Sequence, residues 1–222
     1  MESNERGTGS RGSAWFGIVA AVLYVAGVML MFAPTPNDKH RKSPTKYAAD
    51  YQRFFADGDK RAMVIFGVYV VILATIAFVV FGSHLRDRLA AAGAARAGRL
   101  TFAGAILFAA LTMVGALAFA WIPGSIAFGN GPVPTGEINY LAPQLAYGFL
   151  LVGGMAGAAL TLCVGGVAGA RTKALPAWLG WAGLVIGVVV FVIGSWFMPV
   201  LLFVLWTIVA AIVCLRRPYA VN

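Results

Sequence analysis

The stretch LPAWLGWAGLVIGVVVFVIGSWFMPVLLFVLWTIVAAIVCL, from Leu175 to Leu215, decides the fold. Its 41 residues include no charged side chain. At about 1.5 Å per residue a single helix of that length would reach about 60 Å, twice the roughly 30 Å of a bilayer's hydrocarbon core. The tract must therefore fold back on itself. Pro199 is the expected turning point, because proline has no amide hydrogen and disfavours helix in the residue before it. Spans of about 177–194 and 199–215 follow, with a kinked re-entrant pair as the alternative.

Four more charge-free tracts precede it, at about 14–33, 62–82, 100–122 and 141–168. The whole chain of 222 residues is 60% apolar and 11% charged, with a mean hydropathy of +0.83. Soluble chains carry about 25% charged residues, so a soluble fold is excluded. The expectation is an all-α integral membrane bundle of six transmembrane helices. Residues 1–13 are expected to be a disordered cytoplasmic tail and 216–222 a second tail. The first span is too long for a signal-peptide core, and the bulky Met31 and Pro34 make a poor cleavage site, so it reads as an uncleaved anchor.

The net charge of +9 belongs to the connections. Arg6 and Arg11, then Arg86, Arg88, Arg96 and Arg99, then Arg171 and Lys173, and last Arg216 and Arg217 fall in alternate connections, while the 3–4 loop has no basic residue. The positive-inside rule then places both termini in the cytoplasm. The first loop dissents. It carries Lys39, Arg41, Lys42, Lys46, Arg53, Lys60 and Arg61, offset in part by Asp38, Asp50, Asp57 and Asp59, yet six spans put it outside.

That loop also encodes a helix over about 44–57. Ser43 and Pro44 make a cap and first turn, and Asp57-Gly58 a stop. Tyr47, Tyr51, Phe54 and Phe55 recur at i, i+4, i+7 and i+8, an amphipathic aromatic stripe. It is read as an interfacial helix, with tyrosines at the headgroup level; the alternative is a lid over the outer ends of the spans.

Glycine marks the packing faces. Gly153, Gly157, Gly165 and Gly169, with Thr161 between them, recur every fourth residue, and Gly180, Gly187 and Gly194 every seventh, with Gly183 beside them. Small residues let helix backbones approach closely where lipid supplies no hydrophobic drive. Packing within the chain is the first reading and a homodimer seam the second.

Ion-coupled carriers use an ionisable group at membrane depth, and none lies inside a tract, since Asp87 and Glu137 sit at or beyond span ends. No catalytic set, metal motif or cofactor site can be assembled. His40 and His84 are expected on opposite sides of the membrane, which does not suit a haem, and His84 is read as an interfacial polar residue. Cys163 and Cys214 are read as apolar filler. The 3–4 loop, rich in proline and glycine, is expected to be non-helical from Pro123 to Asn139. Its polar residues Asn130, Glu137, Asn139, Tyr140 and Gln144 are the candidate outer pocket.

The runs Leu175-Pro176-Ala177-Trp178-Leu179-Gly180-Trp181-Ala182-Gly183, Leu205-Trp206, Leu215-Arg216-Arg217-Pro218 and Phe55-Ala56-Asp57-Gly58-Asp59-Lys60-Arg61-Ala62 resemble small multi-pass membrane proteins of unknown function common in actinobacteria. The resemblance implies a six-helix bundle in a bacterial inner membrane, the plasma membrane, and no activity or functional residue. The expected partners are the bilayer, anionic lipid headgroups at the basic loops, and a membrane protein or second copy of the chain, with no nucleic acid and no cofactor. A structural, regulatory or partner subunit that packs through its glycine faces is the leading functional expectation. The alternative is a carrier or binding protein for a lipid or small apolar molecule, without ion coupling through buried charges; an enzyme is not expected.

Overall fold

A computed structural model describes residues 5–36, 43–129, 131–134, 138–193 and 197–216. The elements are α1 (Glu5–Phe32), α2 (Pro44–Ala56), α3 (Gly58–Ala91), α4 (Ala95–Gly129), α5 (Ile138–Tyr147), a π-helical segment (Gly148–Gly153), α6 (Gly154–Arg171), α7 (Ala177–Ile193) and α8 (Phe197–Arg216). Among the described residues there is no strand, and the chain is a helical membrane bundle. Five helical stretches, with α5 to α6 counted as one, are long and apolar enough to cross a bilayer. α7, with 17 residues, is shorter.

The 41-residue tract folds back as a helical pair. Trp206 of α8 donates its indole N–H to the carbonyl of Leu179 on α7, 3.0 Å away. A β-carbon on Gly183 would come within 2.9 Å of that indole nitrogen, so the glycine makes room for the bond. Trp206→Phe is expected to lower stability by about 1 kcal/mol, read as a lower melting temperature in detergent, whereas no change would show the bond to be replaceable. The break at residues 194–196, which includes Gly194, lies outside the described residues, and Pro199 sits in the first turn of α8, where proline is tolerated.

Helices adjacent in the bundle form a closed ring: α1 packs on α3, α3 on α4, α4 on α6, α6 on α7, α7 on α8, and α8 again on α1. Aromatic rings fill its centre. Phe108 of α4 lies 4.9 Å from Phe78 of α3, 5.2 Å from Phe203 of α8 and 5.5 Å from Tyr24 of α1, centroid to centroid. The start of α1 and the end of α8 lie at one end of the ring, where a β-carbon on Gly17 would meet Ala211 at 2.8 Å. α2 and its junction with α3 are at the other end.

Several crossings bring backbone against backbone. A β-carbon on Gly157 would fall on the backbone nitrogen of Phe108 and within 2.8 Å of the carbonyl of Gly104. Thr161, one turn on, has a single hydroxyl hydrogen shared between the carbonyls of Gly157 on its own helix, at 3.1 Å, and Thr101 across the crossing, at 3.3 Å. The every-fourth ridge of Gly153, Gly157, Gly165 and Gly169 therefore turns mainly toward α4, with Gly169 under Leu175. α7 is met by a different glycine. Gly166 and Gly180 each approach the other's carbonyl oxygen, at 2.5 Å for an added β-carbon, and Gly187 fits over Cys163. Gly27 of α1 and Gly67 of α3 make a similar crossing.

Residues 5–13 continue α1 rather than forming a disordered tail; residues 1–4 and 217–222 lie outside the described residues. The 3–4 connection is helical as far as Gly129, because α4 continues through the buried Pro123. A membrane helix tolerates the one bond that proline removes when nearby groups compensate locally, and Ser125 donates to the Ile122 carbonyl in that turn.

The aromatic stripe of α2 does not face headgroups. Tyr47, Tyr51, Phe54 and Phe55 are all buried, with α2 packed on α5 and on the start of α3. Burying four rings in protein removes more apolar area from water than floating them in a half-polar interface, so the stripe turns inward. His84, read as interfacial, is likewise buried, its Nδ1 2.8 Å from the hydroxyl of Ser13 on α1.

Of the basic first loop, Lys39, Arg41 and Lys42 lie outside the described residues, while Arg53, Lys60 and Arg61 have local partners. Arg61 donates to the last carbonyls of α2, Phe55 and Ala56, at 2.7 and 2.8 Å, where the helix dipole favours a cation. Lys60 pairs with Asp57 at 3.1 Å, and Arg53 with Asp50 at 3.7 Å. Asp57 also accepts from the amides of Asp59 and Lys60 as the N-cap of α3. The hydrogen bond from Lys60 holds its carboxyl below the usual carboxylate range.

At the opposite end, Arg88 is buried in the last turns of α3, and its Nε donates to the carbonyl of Ala174, 2.7 Å away. This ties the α6–α7 corner to α3. The corner closes α6 with a bond from the Leu175 amide to the Gly169 carbonyl at 3.0 Å, and with Lys173 in the left-handed region at φ 61. That conformation suits glycine and costs a residue with a β-carbon about 1 kcal/mol.

Candidate functional site

Of the five residues expected to form the outer pocket, only Asn139 and Gln144 are described in full. Asn130 and Glu137 lie outside the described residues, and of Tyr140 only the helical backbone is described. Asn139 is fully buried. Its Nδ2 donates to the carbonyl of Pro134 at 2.5 Å, which closes the entry to α5, and among the described residues its Oδ1 has no partner. Gln144 is five residues further along α5, which turns it roughly 140° away from Asn139. One of the two side chains is a structural clamp, and the other faces a groove.

Two open grooves flank Trp121 near the end of the bundle that α2 covers. The first, about 440 Å³, lies between α3 and α4, lined by Ile65, Tyr69 and Ile72 on one side and by Leu117, Gly124 and Phe128 on the other. The second, about 540 Å³, lies between α4 and α5, lined by Ala118, Ile138, Leu141, Gln144 and Leu145. Trp121 is the wall they share and is itself exposed. Both volumes fall in the range of about 300–1,000 Å³ typical of ligand pockets.

The first groove follows from the order of residues on α4. Leu117, Trp121, Gly124, Ser125 and Phe128 share one helical face, so two large exposed aromatics are separated by a glycine. An added β-carbon at Gly124 would find nothing within 4 Å. The glycine is therefore a notch rather than a packing contact. Polar groups are few and peripheral: the Tyr69 hydroxyl and Ser125 in the first groove, Gln144 in the second.

The second groove exists because α5 approaches α4 through glycine. A β-carbon on Gly115 would lie 2.8 Å from the amide nitrogen of Leu150, in the π-helical segment. Across that segment the buried positions run from Ala146 and Leu150 to Gly154 and Met155. Ala146 and Leu150 face inward, while Leu141 and Leu145, which precede the wider turn, stay exposed along the groove.

Of these lining residues only Gln144 was among the candidate polar residues, although Trp121, Gly124 and Ser125 fall in the candidate connection. The signal was available as a glycine inside an aromatic stripe at positions 121, 124 and 128. Ending the third span at Ile122 cut that stripe in two. Among the described residues no group of three or more potential metal ligands is found. No family model, curated protein or solved structure matches this chain.

Proposed function

We propose that the protein binds the apolar part of a membrane lipid, or a molecule of similar shape, in the grooves beside Trp121, and that it does so in a bacterial plasma membrane. The observation that carries this reading is the pair of adjacent apolar grooves that share one tryptophan wall and have polar groups only at their margins. The role is binding without chemistry and without ion coupling, in keeping with a membrane interior that carries no acidic or basic side chain in its charge-free tracts. A subunit that packs on a partner through glycine faces is the weaker reading, because Gly153, Gly157, Gly165, Gly169, Gly180, Gly183 and Gly187 all meet atoms of the same chain.

Gly124→Leu tests the proposal without endangering the fold, since the new side chain enters open space and leucine is the better helix former by about 1 kcal/mol. Native mass spectrometry of detergent-solubilised protein is expected to find a retained lipid on the unaltered chain. In Gly124→Leu, combined with Leu145→Trp in the second groove, that lipid is expected to fall several-fold at an unchanged or higher melting temperature. Undiminished retention in the double variant would overturn the proposal.

A further inference from the structure

The corner between α6 and α7 carries positive charge with no local acid to meet it. From Ile138 to Asn222 the sequence contains no aspartate or glutamate, while Arg171 and Lys173 stand exposed on either side of Thr172. Asp87, at the same end of the bundle, is engaged by Arg86 at 2.9 Å. Among the described residues neither Arg171 nor Lys173 makes an ion pair.

The corner is rigid. Arg88 holds the Ala174 carbonyl from α3, and the Leu175 amide closes back on Gly169. The backbone is held in a form that disfavours its own side chain, for Lys173 is the one described non-glycine residue with a positive φ. Glycine there would relieve the conformation, and Arg171, already in the last turn, would still complement the carbonyl end of α6. The observed strain therefore directs attention to the Lys173 ammonium itself.

The position of this charge relative to the bilayer is set by α7. Trp178 and Trp181 are exposed at its start, and the same face continues as Val185, Val188 and Val192, all exposed. Tryptophan followed by an aliphatic stripe marks where headgroups give way to hydrocarbon. Arg171 and Lys173 precede the tryptophans by a few residues, on the headgroup side.

We propose that the α6–α7 corner is a docking site for the phosphate headgroup of an anionic phospholipid, held by Lys173 and Arg171 above the Trp178–Trp181 anchor. The site lies at the opposite end of the bundle from the Trp121 grooves and stands or falls independently of them. A point-charge lysine and a forked arginine two residues apart can grip one phosphate from two directions.

The test places the full chain in nanodiscs of mixed phosphatidylglycerol and phosphatidylcholine and measures by native mass spectrometry which lipid is kept on release. The unaltered protein is expected to prefer phosphatidylglycerol. Lys173→Gly and Arg171→Gln are each expected to reduce that preference about fivefold, the effect of one basic residue at a charged surface. Lys173→Arg keeps the preference, and Lys173→Gly melts no lower than the parent. Arg96→Gln, which removes a charge elsewhere at the same end, leaves the preference intact. Undiminished preference in Lys173→Gly and Arg171→Gln would overturn the proposal, as would an equal loss in Arg96→Gln, which would make the attraction a diffuse property of the basic end. If Lys173→Gly melted lower, Arg171→Gln at an unchanged melting temperature would decide between the two outcomes.

Discussion

Gly157→Leu is expected to leave no stably folded protein. The β-carbon alone would sit on the backbone nitrogen of Phe108 and within 2.7 Å of its Cα, so no rotamer of any neighbour can relieve the overlap. α6 and α4 would have to separate, and Phe108 is the ring that joins Tyr24, Phe78 and Phe203 at the centre of the bundle. Overpacking typically costs about 1–3 kcal/mol where side chains can adjust; against a rigid backbone the cost is expected to exceed about 3 kcal/mol. Gly165→Ala is the control. Its β-carbon would meet the Thr101 methyl at 3.0 Å, a contact that a small shift can open. Unfolding in detergent can be followed with a thiol-reactive dye, since Cys163 and Cys214 are free, half-buried and buried respectively. A Gly157→Leu protein that melted within a few degrees of the parent would disprove the backbone-contact account of the α4–α6 crossing.

Arg88→Ala is expected to have the next largest effect, about 3 kcal/mol. The substitution removes a charged donor from the Ala174 carbonyl, a kind of bond worth about 1.5–3 kcal/mol, and leaves that oxygen buried. It also removes a long, buried stem that lines a small void together with Leu85, Leu175 and Trp206. Arg88→Met separates the two contributions by restoring the stem without the donor, and is expected to recover part of the loss. Arg88→Lys keeps the charge but not the fixed direction of the Nε–H, and is expected to fall between methionine and the parent. Equal melting temperatures for Arg88→Ala and the parent would show that the corner holds its shape without α3.

Much of the fold was legible because membrane insertion is read by length and charge alone. The tract from Leu175 to Leu215 is too long for one crossing, and it forms α7 and α8 as that length requires. The loop helix was legible from Ser43, Pro44 and the 47–51–54–55 spacing, and α2 runs from Pro44 to Ala56. The direction its aromatic stripe faces was not legible. A headgroup layer and a protein lid both accept tyrosine and phenylalanine, and only the presence of α5 beneath it decides between them. Pro123 misled in a similar way, since proline stops a helix in water more often than in a bundle where neighbours supply the missing contacts.

Glycine shows most plainly where the sequence stops informing. Its fourfold recurrence announced a close approach on α6, but not the partner, and Gly166, Gly27, Gly67 and Gly104 make equally close contacts without any periodic signal. Gly124, which sits among large side chains as they do, contacts nothing and opens a groove instead. A missing β-carbon permits proximity without specifying to what.

By itself, the sequence determined that this protein is a helical membrane bundle, where its chain turns back, and which connections carry its charge, because the bilayer imposes one length and one polarity on every span. Only the tertiary structure decided that α8 closes the ring on α1, that Arg88 belongs to the core and not to a loop, and that Trp121 stands between two grooves. Those outcomes depend on which helix faces meet, and within a bilayer every face is apolar, so hydrophobicity cannot choose among them. Shape and the few polar groups that reach across, such as Trp206 to Leu179 and Arg88 to Ala174, make the choice.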